Sequence, residues 1–327
     1  MAGMELIRGL HNIQAQHRGC VLTIGNFDGV HLGHQAVLAK VIAIAKQQQL
    51  PSCVMLFEPQ PLELFAGLAA PARLTRFREK YTALAQLGID RLLCVNFTAE
   101  FAAQQPQQFI QTLLLDQLGV AHLIVGDDFH FGKNRSGSFD MLAQAAKQHQ
   151  FGLYSTSSLI LGERRISSTL VRQALADDQL QLAADMLGRP FALTGRVRHG
   201  RKLGRDLGFP TANVFLYRRK LPVAGVYAIT ASTVFGQFHG VANIGNRPTV
   251  QGQRQQLEAH LFDFKGDLYG SQIEVVLQHK LRSEQRFDGL AALQQQIAAD
   301  VTAAKVFFQR NALLTAHATT DKTEQNG

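Results

Sequence analysis

The chain has 327 residues, 46% of them apolar and 18% charged, and its 33 lysines and arginines against 25 acids leave a formal net charge of +8. That length suits two domains, each able to bury its own core. No apolar run reaches the roughly 18 residues of a membrane span, and MAGMELIRGLHNIQAQHRGC at the start lacks the apolar core of a secretory signal, so the expected compartment is the cytoplasm.

Cys20, Cys53 and Cys94 lie in or beside apolar runs without paired spacing, which argues against a disulfide framework or a zinc cluster and reads as three core residues. The cationic surplus suits small phosphates or nucleic acid. With no Trp and five Tyr for base stacking, an RNA-binding surface is the weaker of these readings.

Up to about residue 187, strand-like runs alternate with amphipathic patterns. CVLTIG at 20–25, SCVMLFE at 52–58, RLLCVNF at 91–97 and AHLIVG at 121–126 are near-continuous apolar runs, as buried parallel strands should be. Helical spacing fills 31–49, with Val37, Val41 and Ile44 on the apolar face and Pro51 past its end, then 75–87, 106–118 and 138–148. This order predicts an open parallel sheet with helices on both faces. Ligands of such a sheet sit at the carboxyl ends of its strands.

From about Arg189 the pattern changes to short β-rich runs at 191–197, 211–216, 225–233, 238–245, 257–264 and 271–281, several of them separated by glycine-containing turns. These predict a compact antiparallel barrel. A helix over Gly289–Gln309 closes it, with Leu290, Leu293, Ile297, Val301 and Phe307 facing the core. The polar tail is expected to fray. The division is therefore 1–187, 188–312 and a tail at 313–327.

Five stretches carry chemistry. GNFDGVHLGH (Gly25–His34) follows the first strand and opens the first helix, aiming free N–H groups and the helix dipole at the strand-end crevice. His31 and His34 lie one turn apart, a spacing that serves a polyphosphate, a metal or a packed core; no HExxH or nearby cysteine supplies further metal ligands. VGDDFHFGKNRSG (Val125–Gly137) is not a P-loop. Five residues separate Gly126 from Gly132 where four are needed, and Asn134 follows Lys133 where Ser or Thr is required. Its Asp128, Phe129 and Phe131 suit a flat polar ligand. ISSTLVR (Ile166–Arg172) offers Ser167 or Ser168 as an N-cap, with Arg172 one turn beyond Ser168. RKLGRDLGFPTANV (Arg201–Val214) is basic and glycine-rich, and Thr211 and Asn213 on a strand would project to one side as oxygen donors for a hard cation such as Mg²⁺. Glu258, among apolar strand neighbours, reads as a general base toward an alcohol or as an ion-paired strand acid.

Taken in order, these motifs resemble the bifunctional riboflavin kinase/FMN adenylyltransferase family, the prokaryotic FAD synthetases, over about residues 15–310. GNFDGVHLGH, VGDDFHFGKNRSG and ISSTLVR are similar to its nucleotide-binding motifs. LGFPTAN, GVYA, NIGNRPT and EAHLFDF are similar to its kinase signatures. His130 stands where many relatives carry arginine.

The resemblance implies a Rossmann-like nucleotidyltransferase domain followed by a kinase β-barrel. It places Gly25, Phe27, His31, His34, Ser168, Thr169 and Arg172 at ATP, and Asp128 and Phe129 near flavin or phosphate. In the barrel, Gly204, Thr211 and Asn213 would hold ATP and Mg²⁺, and Glu258 would deprotonate the ribityl 5′-hydroxyl of riboflavin. FMN would then be product of one site and substrate of the other, FAD the end product, and no nucleic acid or membrane a partner.

Overall fold

The computed structural model describes residues 3–156, 159–162, 164–200, 204, 207–249 and 252–324. The chain divides into two compact units between Leu170 and Val171.

In the first unit six strands form one sheet: β1 (Glu5–Arg8), β2 (Val21–Ile24), β3 (Ser52–Glu58), β4 (Arg91–Asn96), β5 (His122–Gly126) and β6 (Gly152–Thr156). Their order is β1-β4-β3-β2-β5-β6, with every pair parallel. β2 is buried at all four positions, as its unbroken apolar run requires. Alternate side chains feed two cores. Leu22, Met55, Leu93 and Leu123 pack with Phe109, Leu113 and Leu142 on one face, while Val54, Leu56 and Leu92 pack with Leu38 and Leu84 on the other.

The helices follow the sequence pattern closely: α1 (Leu32–Gln48), α2 (Pro61–Ala66), α3 (Phe77–Gln86), α4 (Ala99–Ala102), α5 (Pro106–Gln108, continuing as a π-helix over Phe109–Gln117) and α6 (Phe139–His149). The short α2 and α4 are additions to the sequence-predicted set, as are strands β1 and β6. Both strands are sheet edges of four or five residues with mixed burial, too short for a periodic signal. Cys20 and Cys53 are buried core residues as expected, and Cys94 is half-buried. A two-residue hairpin, β7 (Ile160–Leu161) with β8 (Arg164–Arg165), precedes α7 (Ser168–Ala176). The sheet order reverses between β2 and β5, and at such a switch point the strand ends part to leave a crevice.

The second unit holds α8 (Leu180–Leu187) and a closed barrel of β9 (Ala192–Arg198), β10 (Ala212–Phe215), β11 (Gly225–Thr233), β12 (Gly236–Thr249), β13 (Gly252–Leu261) and β14 (Gln272–Arg282). Strand order is β10-β13-β12-β11-β14-β9, antiparallel throughout, with β9 pairing β10 to close the ring. Leu193, Val214, Ile229, Ile244, Leu257 and Val275, one from each strand, are fully buried.

The last helix, α9 (Leu290–Glu324), packs Val301, Ala304, Phe307 and Phe308 against Val226, Ala228 and Val241. Leu290, expected in the core, is 60% exposed. It is the first residue of the helix and lies more than two turns before the stripe that meets the barrel. Buried Asp300 receives Arg282 through three hydrogen bonds of 2.8–3.1 Å, pinning the helix to β14. Helical backbone continues past the expected end near Gln309, in a stretch without glycine or proline up to Gly327. No described helix is long and apolar enough to cross a membrane.

Candidate active sites

The first site is built from the turn that leaves β2. Three residues there adopt left-handed backbone, Phe27 (φ 47°), Gly29 (φ 87°) and Val30 (φ 44°), before α1 begins. A β-branched residue resists that conformation strongly, so the turn needs an outside hold. Asp28 supplies it. Its buried carboxylate accepts from Leu74 N at 3.1 Å, Thr75 N at 2.9 Å and Thr75 Oγ1 at 3.1 Å, while Gly29 N donates to the same threonine oxygen at 2.9 Å. The Asp28 carbonyl accepts from Ser168 Oγ at 2.8 Å. The start of ISSTLVR is thereby fastened to the first motif.

His31 is the N-cap of α1, its Nδ1 accepting from His34 N at 3.2 Å. An accepting Nδ1 carries no proton, so the ring is neutral with its proton on Nε2. The His34 ring stacks on it at 3.6 Å between centroids and 17° between planes, and Phe27, buried in the core, approaches His34 from another side at 5.1 Å. Burial first, then His31 and Lys80, hold His34 well below the usual histidine range. Two neutral rings therefore stand at a helix N-terminus beside the β2/β5 crevice. Among the described residues no group of three or more His, Cys, Asp or Glu forms a metal cluster.

The second motif leaves β5 as a compact loop. Phe131 is buried and bridges to Gly137, and Phe129 stacks on Phe131 at 5.7 Å. Asp128 is exposed and ion-pairs with Arg165 of β8 at 2.9 Å, which links the loop to the segment before the third motif. His130 is exposed, its Nδ1 2.8 Å from the Asp128 carbonyl. In α7, Leu170 N donates to Ser167 Oγ at 3.2 Å, so Ser167 is the cap. Thr169 is exposed in the first turn, and Arg172 lies past the division in the same helix.

Sequence reasoning missed the charged network behind this site. Glu58 ends β3 and takes Arg73 Nη1 at 3.0 Å and Nη2 at 2.7 Å, and Arg73 also binds Glu63 through Nε at 2.6 Å. Lys80 of α3 is fully buried. The available signal was a lysine on the buried stripe of an amphipathic helix, one turn before Leu84.

In the second unit the strand register assembles the other site. Asn213 of β10 lies opposite Glu258 of β13 and Arg198 of β9, and Glu258 lies opposite Asn243 of β12. Leu257 and Ala259 are buried while Glu258 between them is only half so, which puts the acid on the outer face in a polar row. Gln256 donates to Asn213 Oδ1. Thr211 immediately precedes β10. The preceding chain passes so close that a Cβ at Gly200 would fall 2.2 Å from the Asn213 amide, and one at Gly204 would fall 2.4 Å from the Phe209 carbonyl and 3.2 Å from Thr211 Oγ1. The expected cluster of Gly204, Thr211 and Asn213 is thus one neighbourhood. The basic residues of Arg201–Arg205, Gly204 apart, lie outside the described residues.

Two family models match, FAD synthetase over residues 13–170 and riboflavin kinase over residues 187–308. The bifunctional riboflavin kinase/FMN adenylyltransferase of Escherichia coli (strain K12) is 56% identical over 93% of this chain and 98% of its own length. The chain belongs to that family. The Pseudomonas fluorescens member is 51% identical over 92% of this chain and 97% of its own. A solved structure from Streptococcus pneumoniae, titled a macrolide-efflux protein, covers 93% of this chain and 99% of its own with a TM-score of 0.79 at 26% identity. In this family's terms the two neighbourhoods fall one in each matched region.

Proposed function

We propose that the chain makes FAD in two steps, phosphorylating riboflavin to FMN in the second unit and adenylylating FMN in the first. The observation that carries this reading is the placement of the two family matches: residues 13–170 fall within the first unit and residues 187–308 within the second. As functional domains we assign 1–187 to adenylyl transfer and 188–312 to the kinase. The enzyme works on small molecules in the cytoplasm.

In the first unit a phosphate oxygen of FMN attacks the α-phosphorus of ATP, and pyrophosphate leaves. His31 donates from Nε2–H, the only ring proton its cap allows, and His34 offers its free edge beside it. Together with the amide groups opening α1 and α7 they stabilise charge as it builds on the phosphates. Gly25 and Phe27 shape the turn, Ser168, Thr169 and Arg172 hold the nucleotide, and Asp128 and Phe129 border the flavin side. No covalent enzyme intermediate is needed, since positioning and electrostatics suffice.

In the second unit Glu258 takes the proton of the ribityl 5′-hydroxyl as that oxygen attacks the γ-phosphorus of ATP, and ADP leaves. Thr211 and Asn213 provide neutral oxygens in one neighbourhood. Such hard oxygen donors fit Mg²⁺, which would need further oxygen ligands besides these two. Bound there with Gly204, Thr211 and Asn213 around the nucleotide, the ion would offset phosphate charge.

Incubation of the purified chain with riboflavin and Mg-ATP, followed by chromatography of the flavins, tests the whole reading. FMN should rise first and FAD follow. Absence of FMN removes the kinase assignment, and failure to convert added FMN removes the adenylyltransferase assignment.

A further inference from the structure

The row that carries Asn213 and Glu258 also holds a cation to which the kinase assignment gives no work. Arg198 of β9 lies opposite Asn213, on the far side of it from Glu258. Val197 and Val214 are buried, Asn213 and Glu258 are half-buried and Arg198 is exposed, so the three share the outer face of the barrel. A free surface arginine samples many rotamers and loses entropy when it is held. This one is held. Its Cζ sits 4.5 Å from the centre of the Phe215 ring and 5.4 Å from that of Tyr217, and its Nη2 donates to Tyr217 Oη at 2.6 Å. The two rings meet edge to face at 4.5 Å and 87°.

Two features separate this arrangement from an ordinary surface contact. Tyr217 reaches the arginine from left-handed backbone (φ 52°), a conformation that is uncommon outside glycine and costs energy wherever it is kept. The guanidinium, moreover, is not spent on a carboxylate. Among the described residues it forms no ion pair, and its one side-chain hydrogen bond, to Tyr217, uses one of five N–H groups. A planar cation fixed on an aromatic face with donors to spare is suited to an anion. Neighbouring strands lie about 4.8 Å apart, so the Arg198 and Glu258 backbones stand about 10 Å apart with Asn213 between them. That interval takes a hydroxyl at the carboxylate and, at the guanidinium, the phosphoryl group that the hydroxyl receives.

Resting on the kinase reading of the second unit, we infer that Arg198 is a further substrate-contacting residue of riboflavin phosphorylation: its guanidinium meets the γ-phosphoryl group in transfer, while Phe215 and Tyr217 keep it in place. As the ribityl 5′-oxygen bonds to the γ-phosphorus, the hydroxyl proton passes to Glu258. The bond to the β,γ-bridging oxygen breaks, and ADP leaves with that electron pair. Arg198 neither gives nor takes a proton. It offsets the charge spread over the oxygens of the transferring group.

Steady-state phosphorylation of riboflavin by the full chain with Mg-ATP tests this in the parent, Arg198→Ala and Arg198→Lys. Arg198→Ala should lose about 10²-fold in kcat with both KM values little changed, because the contact is made in the transition state. Arg198→Lys keeps the charge but not the fork or the stack, and should fall between the two. Guanidinium ion at a non-denaturing concentration should return part of the kcat lost by Arg198→Ala, and neutral urea none of it. A purely structural clasp between strands would not respond in this way. Parental kcat in Arg198→Ala overturns the inference. So does a loss confined to the KM for riboflavin, which would put the guanidinium on the flavin, and so does recovery no greater with guanidinium than with urea. Should Arg198→Ala not fold, Arg198→Met carries the kcat comparison, and unfolding of the second unit in both makes the arginine structural and overturns the role. A parent that makes no FMN removes the kinase reading together with this role. A parent that makes FMN beside an equally active Arg198→Ala removes this role alone.

Discussion

On the proposed reading, the two sites reach the same kind of ligand, a nucleoside triphosphate, by opposite constructions. In the first unit the proposed working groups are main-chain amides and two neutral rings at a helix start, and the charged residues nearby are Asp28 and Lys80, both buried, and Glu58 and Arg73, both half-buried. In the second unit the proposed base Glu258 and the proposed nucleotide contact Asn213 lie in one row across four strands with Arg198 and Asn243, placed by strand register. A site of the first kind depends on residues that never touch substrate. One of the second kind depends on the residues in the row and on pairing that does not slip.

The sharpest way to break the comparison is to disable each site separately. Glu258→Ala should lower FMN formation by about 10²–10⁴-fold while added FMN is still converted to FAD. His31→Ala with His34→Ala should do the reverse, with FMN accumulating and FAD formation down by about 10²-fold or more. Loss of both activities from either change in a folded protein would sink the two-site reading.

The next largest effect is expected from Asp28→Ala. It strands the Leu74 and Thr75 donors and should cost about 3 kcal/mol or more of stability, read from urea unfolding. An alanine at Asn213, in the open row, should leave stability within about 1 kcal/mol.

A pH dependence comes third. His34 is held below its unfolded value, so as pH falls under about 6.5 the unfolded chain binds the proton first. Stability is intact above that pH and should fall by up to about 1.4 kcal/mol per unit below it, until the folded-state value is reached. Urea midpoints at pH 7, 6 and 5 measure the slope. His34→Gln should reduce it.

The smallest effect sharpens the point about support. Val30→Gly relieves the left-handed backbone but deletes a side chain buried with Phe27, Leu38 and Val54, so the first unit should lose about 1 kcal/mol net, and FAD formation should slow because the turn loses rigidity. Faster FAD formation in that variant would contradict the account of the loop.

Much of this was legible in the sequence, for identifiable reasons. Buried parallel strands announce themselves as apolar runs, and the helices at 31–49, 75–87, 106–118 and 138–148 announced themselves by period. The histidine pair, PTAN and Glu258 are local motifs and stand out in the sequence as such. What escaped depends on distant partners. Nothing near Asp28 in the chain points to Leu74 and Thr75, and Glu58, Arg73 and Lys80 look like ordinary charges until the fold brings them together and buries the lysine. Leu290 misled because a helical period does not say where along its length a helix meets its barrel.

The barrel has one more consequence. A ring of six strands offers no free edge, so nothing in it invites another chain to pair. The parallel sheet of the first unit has two edges, β1 and β6. β1 is only four residues long and carries charge at both ends, Glu5 and Arg8, with Glu5 tied to His17 at 2.9 Å and Arg91 at 3.2 Å. Resistance to aggregation in the barrel is thus a property of its closure. At β1 it rests on a few charges, and neutralising Glu5 and Arg8 together removes that guard.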